Sequence, residues 1–273
     1  MSNLETGTDH LLAAQESGVL SLTLNRPEVR NALSLPMLDA LGEMLDRAAR
    51  SPEVHVVVLA GAGGTFCAGG DVTLLARGGS IFGAAKDGAG RLARQQAAQW
   101  STVVRLHELA KPTVAVLEGA AVGAGLGLAL ACDLRYAGTS ATLRTGFGRL
   151  GLAGDFGCTW LLRELVGAAK ALELLYFSDV TTAAHAEQLG LVNGTVPDRQ
   201  VRSHALERAR RLATVPPQAL GAMKQHVRRA GSADLAYCAD VEAEWHVRLV
   251  ATEEHRAAVR ALTNANTARR GRS

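Results

Sequence analysis

The sequence predicts an α/β protein, a layered core of strands and helices followed by a helical C-terminal region. Three observations carry that expectation. "VHVVVLAG" (54–61) and "TVAVLEG" (113–119) are continuous apolar runs, as strands covered on both faces require. Segments of helical spacing separate such runs, and from about Phe156 onward the chain is mostly helical. The expected division is a core at 1–200 and a helical region at 201–273.

Taken in order, "GVLSLTLNRP" (18–27) reads as a strand closed by Asn-Arg-Pro. "SLPMLDALGEMLDRAAR" (34–50) places Leu38, Leu41, Leu45 and Ala48 on one helix face, with Ser34 as N-cap and Pro36 tolerated in the first turn. After the 54–61 strand and "AGAGGTFCAGGDV" comes a stretch of little pattern, "ARGGSIFGAAKDGAG" (76–90), read as a mobile loop. The helix that follows aligns Trp100, Val103, Val104 and His107. The order then repeats: the 113–119 strand, a glycine-punctuated helix from Gly123, and a strand at "DLRYAG" (133–138). The helical remainder is interrupted by "GLVNGTVPD" (190–198), restarts at Pro216-Pro217 and runs to about Ala265.

Composition narrows the function. Of 273 residues, 48% are hydrophobic and 20% charged, ordinary for a soluble globular chain. A formal net charge of +3 with mixed signs argues against a nucleic-acid partner while leaving room for one anionic ligand site. Cys67, Cys132, Cys158 and Cys238 lack CxxC spacing and read as structural thiols of a reducing compartment. "MSNLETGTDHLL" lacks the order of a signal peptide, and no uncharged apolar stretch reaches the ~20 residues of a membrane span. A cytoplasmic protein with no membrane partner is expected.

Several catalytic motifs are missing. Gly61 and Gly63 are followed by Phe66 where GxGxxG needs its third glycine. No GxxxxGK[ST], HExxH or GxSxG occurs, and no two histidines stand at the i+4 spacing that suits zinc, so no metal site is expected. Two glycine-rich turns remain, "FCAGGD" (66–71) and "GAAVGAGLG" (119–127), each directly after an apolar strand. Together they can offer two free N–H groups to a developing oxyanion, or they are simply tight turns packed against backbone. In "GLAGDFGCTW" (151–160) a single acid, Asp155, sits among glycines and apolar residues. It is either the N-cap of a helix beginning at Phe156 or a working carboxylate.

In "LTLNRPEVRNALS", "VVVLAGAGGTFCAGGD", "KPTVAVLEGAAVGAGLGLALACDLRYA", "RELVGAAKALELL" and "AEQLGLVNGTVPD", in this order, the chain resembles the crotonase superfamily, the enoyl-CoA hydratase/isomerase family, over about residues 18–260. The resemblance implies a spiral of stacked ββα units, with C-terminal helices that assemble homotrimers or dimers of trimers. It implies an acyl-CoA substrate and no further cofactor, with the thioester oxygen held by the N–H groups of Gly70 and Ala124. CoA is implied to lie along Arg30, Ala32, Ala68, Asp71 and Val72, Arg30 matching a basic position that meets CoA phosphates.

The two glutamates of the family's hydratases fall on Gly127 and Phe147 and are absent. Asp155 falls where double-bond isomerases carry their single acid, and "GLAGDFGCTWLL" also resembles isomerases of phenylacetyl-CoA derivatives. The expected activity is therefore an acyl-CoA isomerase acting through a thioester enolate, with Asp155 as its one acid/base. Phe147, Leu152, Phe156 and Trp160 are expected to line the acyl pocket. The 76–90 loop and "ATLRTGFGRL" (141–150) are expected to shape it, with Arg144 and Arg149 facing a polar acyl group. Alternatives are a hydratase with a different acid, Glu118 being the other candidate carboxylate, a dehalogenase with Asp155 as nucleophile, and a non-catalytic acyl-CoA binder.

Overall fold

Runs rich in Val, Leu and Ala build the central sheet. The computed structural model describes residues 2–83 and 87–270, the side chains of 265–270 excepted. Its strands are β1 (Ser2–Leu4), β2 (Leu11–Glu16), β3 (Val19–Leu24), β4 (Val56–Gly61), β5 (Thr113–Leu117), β6 (Ala120–Val122), β7 (Leu134–Gly138), β8 (Thr142–Arg144), β9 (Thr181–Thr182) and β10 (Gly194–Val196). Seven form one sheet in the order β1-β2-β3-β4-β5-β7-β10, and β6, β8 and β9 form a second. β1, β2 and β3 are an antiparallel meander, whereas β3–β4, β4–β5, β5–β7 and β7–β10 are parallel.

Parallel neighbours need crossovers, and helices supply them: α1 (Leu35–Arg50), α2 (Val72–Ala76), α3 (Gly88–Gln99), α4 (Arg105–Glu108), α5 (Ala124–Ala131), α6 (Cys158–Phe177) and α7 (Ala183–Gln188), while α8 (Val201–Ala213) follows the last strand. α1 starts as its sequence demands, with Ser34 Oγ accepting the Met37 N–H at 3.3 Å, and buries Leu38, Leu41, Leu45 and Ala48. All six residues of β4 and all eight of α5 are buried, so neither shows a polar face. β5 runs into β6 and β7 into β8, while Cys67, after β4, bridges Ala121 in parallel. β5 and β7 thus each feed a short strand of the second sheet and the chain after β4 joins it through Cys67, which is the stacked ββα arrangement.

β1, β2, β6, β8, β9 and β10 add to the strands read from sequence. Gly194–Val196 pairs with Tyr136–Gly138 inside the segment expected only to interrupt the helices, and three residues are too few to show a period. Arg135, buried beneath it, donates from its backbone N–H to Asn193 Oδ1 (2.8 Å) and from Nε to the Leu191 carbonyl (2.6 Å).

The chain divides into two units between Leu212 and Ala213. The first holds both sheets and α1–α8. The second holds α9 (Pro217–Ala230), α10 (Leu235–Val250) and α11 (Glu253–Arg270). The division falls later than residue 200 because α8 buries Val201, Ala205 and Ala209 and its Arg202 bonds the Gly61 carbonyl at 2.7 Å. Among the described residues no helix is long and apolar enough to cross a membrane.

Candidate active site

Asn31 organises the first wall. Arg30 and Asn31 both lie in the left-handed region (φ 53° and 56°), an energetically uncommon pair held by side-chain bonds. Buried Asn31 donates from Nδ2 to the carbonyls of Ala62 (2.9 Å) and Thr65 (2.7 Å) and accepts the Arg26 N–H. The chain then pairs with the first glycine turn: the Ala68 N–H donates to Arg30 O (2.9 Å) and the Leu33 N–H to Gly69 O (2.8 Å).

The second glycine turn is zipped to the first. Cys67 N–H donates to Ala120 O (3.0 Å) and Val122 N–H to Cys67 O (2.9 Å). A Cβ on Gly69, whose φ is +80°, would lie 2.5 Å from the Val122 carbonyl oxygen and 3.3 Å from the Ala124 nitrogen. Only glycine permits that conformation and that approach. Gly70 follows, and Ala124 opens α5, where an N–H has no partner within the helix. Among the described residues neither the Gly70 nor the Ala124 N–H has an acceptor, and both residues line one cleft of about 220 Å³.

Asp155 lies in the same cleft, whose walls include Leu74, Leu75, Ile81, Phe82, Leu150 and Phe147. Its Oδ2 stands 3.4 Å from Gln95 Nε2, a weak contact, and its Oδ1 is buried without a partner among the described residues. Burial lifts the carboxyl from its ordinary 3.8 to about 6. It does not cap α6. Phe156 (φ 46°) and Gly157 (φ 64°) are left-handed, the helix begins at Cys158 rather than Phe156, and its capping residue Gly157 supplies no side chain. Only the backbone carbonyl of Asp155 serves the helix, accepting the Cys158 N–H at 3.0 Å. The turn is pinned from α3, where Gln99 Oε1 accepts the Phe156 N–H at 2.7 Å.

Position 127 is occupied by proximity. A Cβ on Gly127 would lie 2.4 Å from the Phe156 carbonyl oxygen and 3.1 Å from its Cβ. The side-chain space there is therefore filled by the Asp155–Phe156 turn. Phe147, the other position that carries a glutamate in the hydratases, is a buried ring on the cleft wall.

The model of the enoyl-CoA hydratase/isomerase family matches residues 14–266. The chain belongs to the enoyl-CoA hydratase/isomerase family. It is 35% identical to 1,2-epoxyphenylacetyl-CoA isomerase of Escherichia coli (strain K12) over 87% of this chain and 88% of that one. It is 33% identical to 2,3-dehydroadipyl-CoA hydratase of the same strain, over 94% and 96% of the two chains. A crystal structure of an enoyl-CoA hydratase from Polaromonas sp. JS666 superposes with a TM-score of 0.86 at 31% identity, covering 93% and 97%. The crotonase fold of the family is thus the fold of this chain, and isomerase and hydratase names both occur among its relatives.

In this family member the expected residues divide. Gly70, Ala124, Asp155, Ala68, Asp71, Val72, Phe147, Leu152 and Phe156 all line the cleft. Asp71 has a second duty, accepting the Leu74 N–H at 3.1 Å to cap α2. Exposed Arg30 and buried Ala32 are not on the lining but belong to the segment bonded to Ala68 and Gly69. Trp160, expected in the acyl pocket, does not line this cleft. Placed in the first turn of α6, it lies in a separate groove with Trp100 and Val103, its ring 5.2 Å from that of His107. Arg144 and Arg149 face elsewhere too: Arg144 Nε bonds the Ser178 carbonyl (2.8 Å) and Arg149 pairs with Asp179 (3.2 Å). Glu118 is bound to Arg202 at 2.5 Å and lies outside the cleft. Ser80, Ile81 and Phe82 of the 76–90 stretch do line it, α3 begins within that stretch at Gly88, and 84–86 lie outside the described residues.

Sequence reasoning missed the polar stripe of α3. Arg91, Gln95 and Gln99 stand four apart, a spacing that puts them on one helix face. That regularity was the available signal.

Proposed function

We propose that the protein is an acyl-CoA isomerase that moves a C=C bond from the β,γ to the α,β position. The observation that carries this reading is the Asp155 carboxylate, raised to about 6 by burial, in a cleft with two unpartnered backbone N–H groups, the cleft's other carboxylate, Asp71, being held as the cap of α2. CoA lies along Arg30, Ala32, Ala68, Asp71 and Val72, and the thioester oxygen accepts from Gly70 and Ala124. Asp155 takes a proton from C2, and the electron pair of that C–H bond moves into the thioester to give an extended enolate. The carboxyl then returns the proton to C4, leaving the double bond between C2 and C3. Each oxyanion donor contributes about 3–4 kcal/mol to the barrier reduction. No atom is gained or lost and no oxidation level changes, so the reaction requires neither metal nor redox cofactor.

Water addition asks for a second acid. Gly127 and Phe147 supply none, and Glu118 is committed to Arg202. A ring-acyl group is a second substrate form of this proposal, supported by the likeness to 1,2-epoxyphenylacetyl-CoA isomerase. The assembly proposed is a homotrimer or a dimer of trimers.

The test is separate incubation with a 3-enoyl-CoA and a 2-enoyl-CoA in heavy water, read by mass spectrometry, with Asp155→Asn alongside. Conversion to the 2-enoyl isomer without added water, lost in the variant, supports the reading. A product heavier by one water makes the protein a hydratase instead.

A further inference from the structure

The stripe on α3 has a third member that the reaction does not use. Gln95 reaches Asp155 and Gln99 holds the Phe156 N–H, while Arg91, one turn earlier, lines the same cleft. The same lining includes the apolar side chains of Leu74, Leu75, Ile81 and Phe82. Among the described residues the Arg91 guanidinium has no ion pair and no hydrogen bond, whereas Arg94 on the same helix pairs with Asp87 at 2.9 Å. The other charged groups of the lining are Asp71, which accepts the Leu74 N–H, and Asp155, whose Oδ2 is 3.4 Å from Gln95 Nε2, and among the described residues neither pairs with Arg91. Arg91 also sits in the first turn of α3, where the helix dipole disfavours a cation, so helix stability does not account for it. A cation facing an apolar cleft is best compensated by an anion that arrives with the ligand. The guanidinium fork matches a carboxylate in a two-bond geometry.

We infer that Arg91 selects acyl groups ending in a carboxylate, that is, ω-carboxyacyl-CoA thioesters. The inference rests on the cleft being the acyl-CoA site proposed above. Arg91 stands about one helical turn, ~5.4 Å, before Gln95, so a short acyl tail running past the reacting carbons brings its terminal carboxylate to the guanidinium. Arg91 acts on specificity and touches no reacting atom.

Calorimetric titration with two probes tests this: the CoA monothioester of hexanedioic acid and hexanoyl-CoA, which lacks the carboxylate. Wild type is expected to bind the first at least tenfold more tightly. Arg91→Met brings the ratio to about one, and Arg91→Lys, which keeps the charge but not the fork, lies between. Equal binding by wild type, no binding of either probe, or a preference that survives Arg91→Met overturns the inference. Turnover of the matching 3-enoyl thioesters separates it from the reaction assignment. A preference in binding with no isomerisation of either thioester would leave Arg91 its role and remove the isomerase. Isomerisation of both with equal binding would do the reverse.

Discussion

Asp155 meets two opposed demands. A carboxyl near 6 is a base matched to neutral pH, yet an ionised group in an apolar cleft weakens the fold. Its folded value lies above the ordinary 3.8, so the folded protein holds the proton more tightly than the unfolded chain. Stability therefore falls as pH rises from about 4 to about 6 and stays lower above that window. The difference corresponds to about 3 kcal/mol. Asp155→Asn is expected to stabilise the protein by about 1–3 kcal/mol at pH 8 and hardly at all at pH 3. Urea unfolding at the two pH values measures this, and a variant destabilised at pH 8 would mean that the carboxylate has a stabilising partner. The same variant should lose at least about 10²-fold in kcat, and wild-type kcat/KM should rise with pH through a midpoint near 6. Gln95, whose Nε2 stands 3.4 Å from Asp155 Oδ2, is expected to act through Asp155 as a positioning residue by donating to the ionised carboxylate. Gln95→Leu is expected to move that midpoint upward, which a purely structural role would not do.

At the scale of elements, the site depends on how closely α5 meets the turn before α6. Gly127 lies against the Phe156 backbone, and Gln99 on α3 holds the same residue from its N–H. Gly127→Ala gains about 1 kcal/mol of helix propensity. It also drives a methyl into the Phe156 carbonyl, and overpacking of this kind costs about 1–3 kcal/mol. A net loss of stability in chemical denaturation is expected. Gly127→Glu, which restores a hydratase glutamate, should lose more and gain no hydration, because the turn occupies the space the carboxylate needs. A stable, hydrating variant would show that the turn yields. The glycine turns themselves were legible, since glycine after a buried strand is a local signature. The contact of Gly127 with Phe156 was not, because it joins residues far apart in the chain.

For the whole molecule, the proposed trimer or dimer of trimers is expected to form through the helices of the second unit. Val227, Leu235, Val247 and Leu262 on its helices are each at least 66% exposed in the single chain. These side chains are the apolar surface that the proposed assembly is expected to bury. Light scattering on the full chain is expected to give three or six times 28.6 kDa. Val227→Asp combined with Leu235→Asp should lower that mass. A wild-type monomer with full activity would refute the proposed assembly.

The sequence by itself determined what neighbours a few residues apart can decide. It set the Ser34 cap, the apolar runs of β4 and β5, the buried α5, the two glycine turns, the family and the single acid at 155. Tertiary structure decided where side chains point. It made Asp155 a buried carboxylate rather than a cap, sent Trp160, Arg144, Arg149 and Glu118 away from the cleft, added β10, and brought Arg91, Gln95 and Gln99 to the site. The physical reason is range. A cap or a helical period is settled within about one turn of chain, whereas the partner of Asp155 comes from Gln95, 60 residues away in sequence.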